Sequence, residues 1–121
     1  MIRLTVDDIL RFHYQIEGNN LLRSEELLES AVNAPFQTFG GEYLYKTIGE
    51  QAAQLMYGLN KNHCFIDGNK RISIHAMLVF LKANRINIRY IQEELVDLTL
   101  NVASGKYNVN YIVKWINKRT L

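Results

Sequence analysis

The sequence predicts an all-α fold: a six-helix bundle around one buried central helix, with a small β-hairpin flap. Three observations lead there. The chain has one proline in 121 residues, so little interrupts its helices. Apolar residues recur every three or four positions in six separate segments. One of those segments, Ile74 with Ala76 to Leu81, is apolar nearly all round, which marks a helix enclosed by neighbours. A length of 121 residues fits a single domain spanning 1–121, and a hydrophobic content of 48% is enough to build its core.

The first helix starts at Thr5. Thr5 and Asp8 have capping-box spacing, and Val6, Ile9, Leu10, His13 and Ile16 follow at helical intervals. Gly18 with Asn19 and Asn20 ends it. Ser24 opens the second helix, with Glu25 and Glu26 in the first turn, where the helix dipole favours acids. Leu27, Leu28, Ala31 and Val32 give it one apolar face, and Pro35 lies just past its end. Phe36, Phe39, Tyr43 and Tyr45 then flank Gly40-Gly41, which reads as a small hairpin or ordered flap. Thr47 and Glu50 form a second capping box, opening a third helix to about Asn60. A fourth runs from Asn69 or Lys70 to about Ala83. Residues 84–87 turn the chain, and Ile88 to Tyr90 form a short extended piece. Ile91, Leu95, Leu98 and Val102 define a fifth helix, stopped by Gly105; Val109, Ile112, Val113 and Ile116 define a sixth.

Composition excludes several functions. The formal net charge is only +2, without the clustered basic face that direct nucleic-acid binding requires. Lys114, Lys118 and Arg119 read as a solvated helix end, where cations suit the dipole. Cys64 is the sole cysteine, so neither an internal disulfide nor a cysteine-based zinc site is available. No apolar stretch approaches the roughly 20 residues that span a bilayer. The N-terminus has acids at positions 7 and 8 and no long apolar region of a signal peptide. These features predict a cytoplasmic protein without a membrane partner.

The chemistry concentrates in "HCFIDGNKR", residues 63–71, just before the buried helix. A helix start carries unpaired N–H groups and partial positive charge, and so binds phosphate. Gly68 lets the backbone bend and an anion approach closely. Asn69 offers an amide, Lys70 a point charge and Arg71 a two-pronged fork. Asp67 suits a Mg²⁺ ion bridging it to a polyphosphate, and His63 suits a base for an incoming hydroxyl. The same residues would also serve as a plain turn with solvated cations and a helix-capping His63. The apolar character after Ile74 favours the cradle, because it puts the donors at the mouth of the core.

These residues resemble the signature of the Fic/Doc family, His-x-Phe-x-Asp/Glu-Gly-Asn-Gly/Lys-Arg. His63, Phe65, Asp67, Gly68, Asn69, Lys70 and Arg71 all fit. Upstream, "LLESAV" and "TFGGEYLY" resemble segments of the Doc branch, so the likeness covers at least Arg23 to Leu81. It implies that His63 is the general base, Asp67 the Mg²⁺ ligand, and Gly68, Asn69, Lys70 and Arg71 the phosphate-binding residues of an ATP site. Phe65 would plug the loop into the core, and the flap around Thr38, Phe39, Gly40 and Gly41 would align a target segment by backbone pairing. Lys70 stands where the Fic branch usually has glycine and transfers AMP; lysine is typical of Doc toxins. The resemblance therefore implies a toxin that moves the ATP γ-phosphate onto a threonine or serine of elongation factor Tu and blocks translation. AMP transfer and a non-catalytic, antitoxin-binding module are the alternatives.

Three departures accompany the likeness. Cys64 replaces the usual proline, with no expected effect on chemistry. Ser24 and Glu26 differ from the Asp and Gly of the pattern Arg-Asp-x-Gly-Leu-Leu. The self-inhibitory pattern Ser/Thr-x-x-x-Glu-Gly/Asn is absent; Glu17-Gly18 comes near it, but His13 holds the first place. Inhibition is accordingly expected in trans, from a helix of a cognate antitoxin. Two further histidines read as structural. His13 lies on the apolar face of the first helix, and His75 follows Arg71 too closely for the Arg-x(4–6)-His signature of HEPN ribonucleases.

Overall fold

A computed structural model describes all residues, Met1–Leu121. Six α-helices follow in order: α1 Val6–Glu17, α2 Glu25–Asn33, α3 Ile48–Lys61, α4 Asn69–Ala83, α5 Gln92–Ala103 and α6 Val109–Arg119. A two-stranded antiparallel hairpin, β1 Thr38–Phe39 and β2 Glu42–Tyr43, sits between α2 and α3. It pairs Thr38 with Tyr43 and Phe39 with Glu42, leaving Gly40-Gly41 as the turn. Pro35 falls within a single 3-10 turn, Ala34–Phe36, that prolongs α2. No helix is long and apolar enough to cross a membrane.

The helix starts follow the capping residues. Thr5 accepts from the Asp8 N–H while Asp8 accepts from the Thr5 N–H, so both arms of the first box form. The second box forms by half. Thr47 accepts from the Glu50 N–H, but Glu50 takes the Thr47 hydroxyl proton rather than its backbone N–H. Ser24 and Asn108 cap α2 and α6 in the same manner. The extended piece after α4 is real and has a partner that its own sequence does not indicate. Ile88 bridges Thr120, the Arg89 N–H donates to Arg119 O, and the Leu121 N–H donates to Asn87 O.

The core joins all six helices. Helix α4 buries Ile72, Ala76, Met77, Phe80 and Leu81, as its apolar run requires. It shares the centre with α3, which packs against α2, α4, α5 and α6 and buries Ala52, Ala53, Leu55, Met56 and Leu59. Ile74, Leu78 and Val79 on the outer side of α4 are only half-buried. Gly58 permits the tight α2–α3 approach: a Cβ there would lie 3.2 Å from both Cα and Cβ of Ala31. The α3–α4 pair thus forms a stiff hairpin, and the loop joining its two helices is residues 62–68.

Candidate active site

Helix α3 ends at Lys61, Asn62 caps it, and His63 follows with φ of 51°. That left-handed backbone brings Cβ close to a carbonyl oxygen in any L-residue, and glycine usually takes the position. The reversal turns Cys64 and Phe65 inward, where both are buried. Burial pushes the Cys64 thiol up to about 11, so it is no nucleophile at neutral pH. His63 itself is exposed.

Phe65 anchors the loop on α1. Its ring stacks on His13, with centroids 3.6 Å apart and planes at 8°. His13 is buried, and both of its nitrogens have partners: Nε2 lies 2.8 Å from Asp67 O and Nδ1 lies 3.2 Å from Asn20 Oδ1. The sequence reading of a satisfied core histidine therefore holds, with an added consequence. One of those bonds fixes the backbone of Asp67. Asn69 closes the loop from the other side. Its Oδ1 accepts from the Phe65 N–H at 3.0 Å, and its Nδ2 donates to Phe65 O at 2.8 Å. The Asn69 amide, read as a phosphate donor, is thus already engaged as a latch on the loop. What Asn69 offers freely is its backbone N–H.

Gly68 caps α4 at φ of 84° and supplies no side-chain acceptor. The first N–H paired within the helix is that of Ile72, to Gly68 O. The N–H groups of Asn69, Lys70 and Arg71 precede it and are open to an anion. Asp67, Gly68, Asn69, Lys70 and Arg71 line one depression of about 230 Å³ that has no hydrophobic residue in its wall. The structure thus brings together five of the expected residues. His63 and the flap residues Thr38, Phe39, Gly40 and Gly41 are not part of that lining. Phe39 is the most exposed large apolar side chain of the chain, at 81%.

The depression has a sixth wall, which the sequence did not reveal. Glu17, the last residue of α1, accepts a hydrogen bond from Arg71 Nη1 at 2.8 Å. A Cβ on Gly68 would come within 2.7 Å of the Glu17 Cγ and Cδ. The Glu17 carboxylate therefore rests over the glycine, on the fork expected to grip a phosphate. Its partner lies 54 residues away, a separation at which no spacing rule applies. Across the helix, His75 meets Phe12 edge-on at 5.1 Å, and burial lowers its pKa. It has the structural place foreseen for it.

The donor set suits Mg²⁺ in one way only. Asp67 is an exposed carboxylate beside a cationic helix end, and no group of three His, Cys, Asp or Glu could hold an ion without help. Mg²⁺ commonly takes one or two carboxylates and completes its shell with water and phosphate oxygens. The residues fit an ion that arrives on a polyphosphate.

The wider likeness agrees with this geometry. A model of the Fic/DOC family matches residues 3–81, more than half of the chain. The chain is similar to a protein named Toxin Doc from Mycolicibacterium smegmatis, 35% identical over 71 residues, covering 59% of this chain and 55% of that protein. It is similar also to one named Protein kinase doc from Escherichia phage P1, 29% identical over 69 residues, covering 57% of this chain and 54% of that protein. Each match spans about half the length of the relative. With its matched region reaching from before α1 to the end of the apolar run of α4, and with the loop geometry above inside it, this chain belongs to the Fic/Doc family.

Proposed function

We propose that the protein is a Doc-type toxin that transfers the γ-phosphate of ATP to a threonine or serine hydroxyl of elongation factor Tu. One observation carries the reading: open N–H groups, Lys70 and Arg71 converge on one depression beside Asp67, one loop away from an exposed histidine. The polyphosphate binds the open end of α4, with Arg71 gripping two oxygens and Lys70 neutralising a third. Asp67 would hold Mg²⁺, which lowers the charge repelling the nucleophile. His63 takes the hydroxyl proton; the freed oxygen bonds to the γ-phosphorus as the bond to the β-γ bridging oxygen breaks, and ADP leaves. The relative named a protein kinase supports γ-phosphate over AMP transfer, and Lys70 supports the same choice by its place in the motif. The exposed hairpin would dock the target strand, and a cognate antitoxin would inhibit from a second chain.

The test uses purified protein, elongation factor Tu, Mg²⁺ and ATP labelled at the α or the γ phosphate. Label from the γ position on a target hydroxyl, lost in His63→Ala, is the expected result. Label from the α position would establish AMP transfer instead. No transfer to any protein of a lysate, from folded protein, would leave a binding module.

A further inference from the structure

We infer that Arg23 is a positioning residue for His63. The inference rests on the reading of His63 as the base, and it begins from the backbone of that residue. His63 has a positive φ, and its imidazole is exposed, so no packing holds it. Something else must keep the chain in a conformation that a side chain with a Cβ disfavours. The structure provides it from the α1–α2 connection. Arg23 Nε donates to His63 O at 2.7 Å, and Arg23 Nη2 donates to Asn62 O at 3.1 Å. One guanidinium therefore holds the carbonyls on both sides of the His63 Cα, those of the 62–63 and 63–64 peptides. Both carbonyls stand at the C-terminal end of α3, where the helix dipole is negative and a cation is favoured.

The backbone beside the fork completes the grip. The Arg23 and Ser24 N–H groups both donate to Cys64 O, at 2.8 and 3.1 Å, and the Ile66 N–H donates to Leu21 O at 2.9 Å. Leu22 and Phe65 form an antiparallel bridge. The loop is fastened on the far side of His63 by these bonds and on the near side by the Arg23 fork. A lysine would not substitute, because one ammonium cannot span two carbonyls in a fixed plane. Arg23 lines no part of the phosphate depression, so its effect should fall on the chemical step and spare nucleotide binding.

The experiment compares Arg23→Ala and Arg23→Lys with the wild type, each alone and combined with His63→Ala. The kcat for transfer should fall on the order of 10- to 100-fold in Arg23→Ala, with the KM for ATP within about twofold. In the His63→Ala background the Arg23 change should have no further effect. Millimolar guanidinium should restore part of the Arg23→Ala rate. Independently of activity, the HN–Hα coupling and backbone shifts of His63 should lose their left-handed signature in Arg23→Ala. A merely structural role would instead lower nucleotide affinity as well and would persist without His63; either result overturns the inference. So would an unchanged His63 coupling in both variants. If the wild type transfers nothing, or His63→Ala transfers normally, the proposed function fails, and the coupling alone decides whether Arg23 sets the His63 backbone.

Discussion

Replacing Glu17 by glutamine should strengthen the binding of ATP. In the folded protein the Glu17 carboxylate lies 2.8 Å from Arg71 and against Gly68, so a phosphate that takes Arg71 must first displace it. The Arg71 side chain is 70% exposed although that of Glu17 is only 13%, so solvent screens the pair through Arg71 and breaking it costs about 0.2–1 kcal/mol. The displaced carboxylate still sits near the bound anion. Two unit charges about 4 Å apart in water repel by about 1 kcal/mol. Together the two effects amount to roughly 1–2 kcal/mol, which is about a 5- to 30-fold gain in affinity for Glu17→Gln. Titration calorimetry with ATP and Mg²⁺ measures it directly, and the gain should shrink at high salt because the site is open to solvent. The substitution should leave stability within about 0.5 kcal/mol, since it also removes a negative charge from the C-terminal end of α1. Equal or weaker ATP binding in Glu17→Gln, in a protein that melts normally, would show that the phosphate does not use Arg71.

Three further outcomes are expected. His63→Gly should be more stable than His63→Ala by about 0.5–1 kcal/mol, because a left-handed Cβ costs about 1–2 kcal/mol and glycine returns about 0.5–1 in unfolded-state entropy; thermal melts of the two variants should differ by about 2–5 °C with glycine higher. Gly58→Ala should lose about 1 kcal/mol despite the better helix propensity of alanine, because the new methyl meets the backbone of Ala31 at 3.2 Å, whereas Gly49→Ala, whose nearest neighbour is 3.5 Å away, should be neutral or stabilising; denaturant midpoints separate the two. His75 is held below its ordinary pKa by burial, so its neutral form stabilises the fold above the unfolded value of about 6.5, and that contribution is lost as pH falls from there through the lowered folded value. A His75→Phe protein should show a smaller loss of stability between pH 7 and 5 than the wild type, as read by urea melts.

The six helices were legible because their determinants are local. Thr5, Ser24, Thr47 and Gly68 sit where the chain changes direction, and apolar spacing of three and four fixes the buried faces. The hairpin was legible for the same reason, with Gly40-Gly41 between short aromatic-bearing strands. The second capping box formed only in part because the Glu50 carboxylate found a hydroxyl closer to hand than the backbone N–H it was expected to take. For the site, the motif residues 67–71 were legible as a set that shares one helix end. What supports them was not. His13 read as a core residue because it lies on the apolar face of its helix; that its ring nitrogens find partners at positions 20 and 67 leaves no sign in spacing along one helix. Asn69 read as a donor to ligand because the sequence does not show that its amide meets the Phe65 peptide.

The motif alone cannot hold its own shape. The loop from His63 to Gly68 has two residues with positive φ and a carbonyl or N–H at nearly every step that needs a partner. Asn69 satisfies Phe65 from within, but Asp67 is fixed by His13 of α1, and Cys64 and Ile66 are fixed by Leu21, Arg23 and Ser24 of the α1–α2 connection. The motif residues and those that hold them thus come from segments some 40 to 54 positions apart. Loosening the α1–α2 connection should therefore disturb His63, and leave Asp67 on His13 and the N–H groups at the start of α4 in place. Those belong to a helix set by Ile72, Ala76 and Phe80 in the core. On the proposed function, nucleotide capture and the transfer step would depend on different parts of the fold, and substitutions in residues 20–24 should separate them.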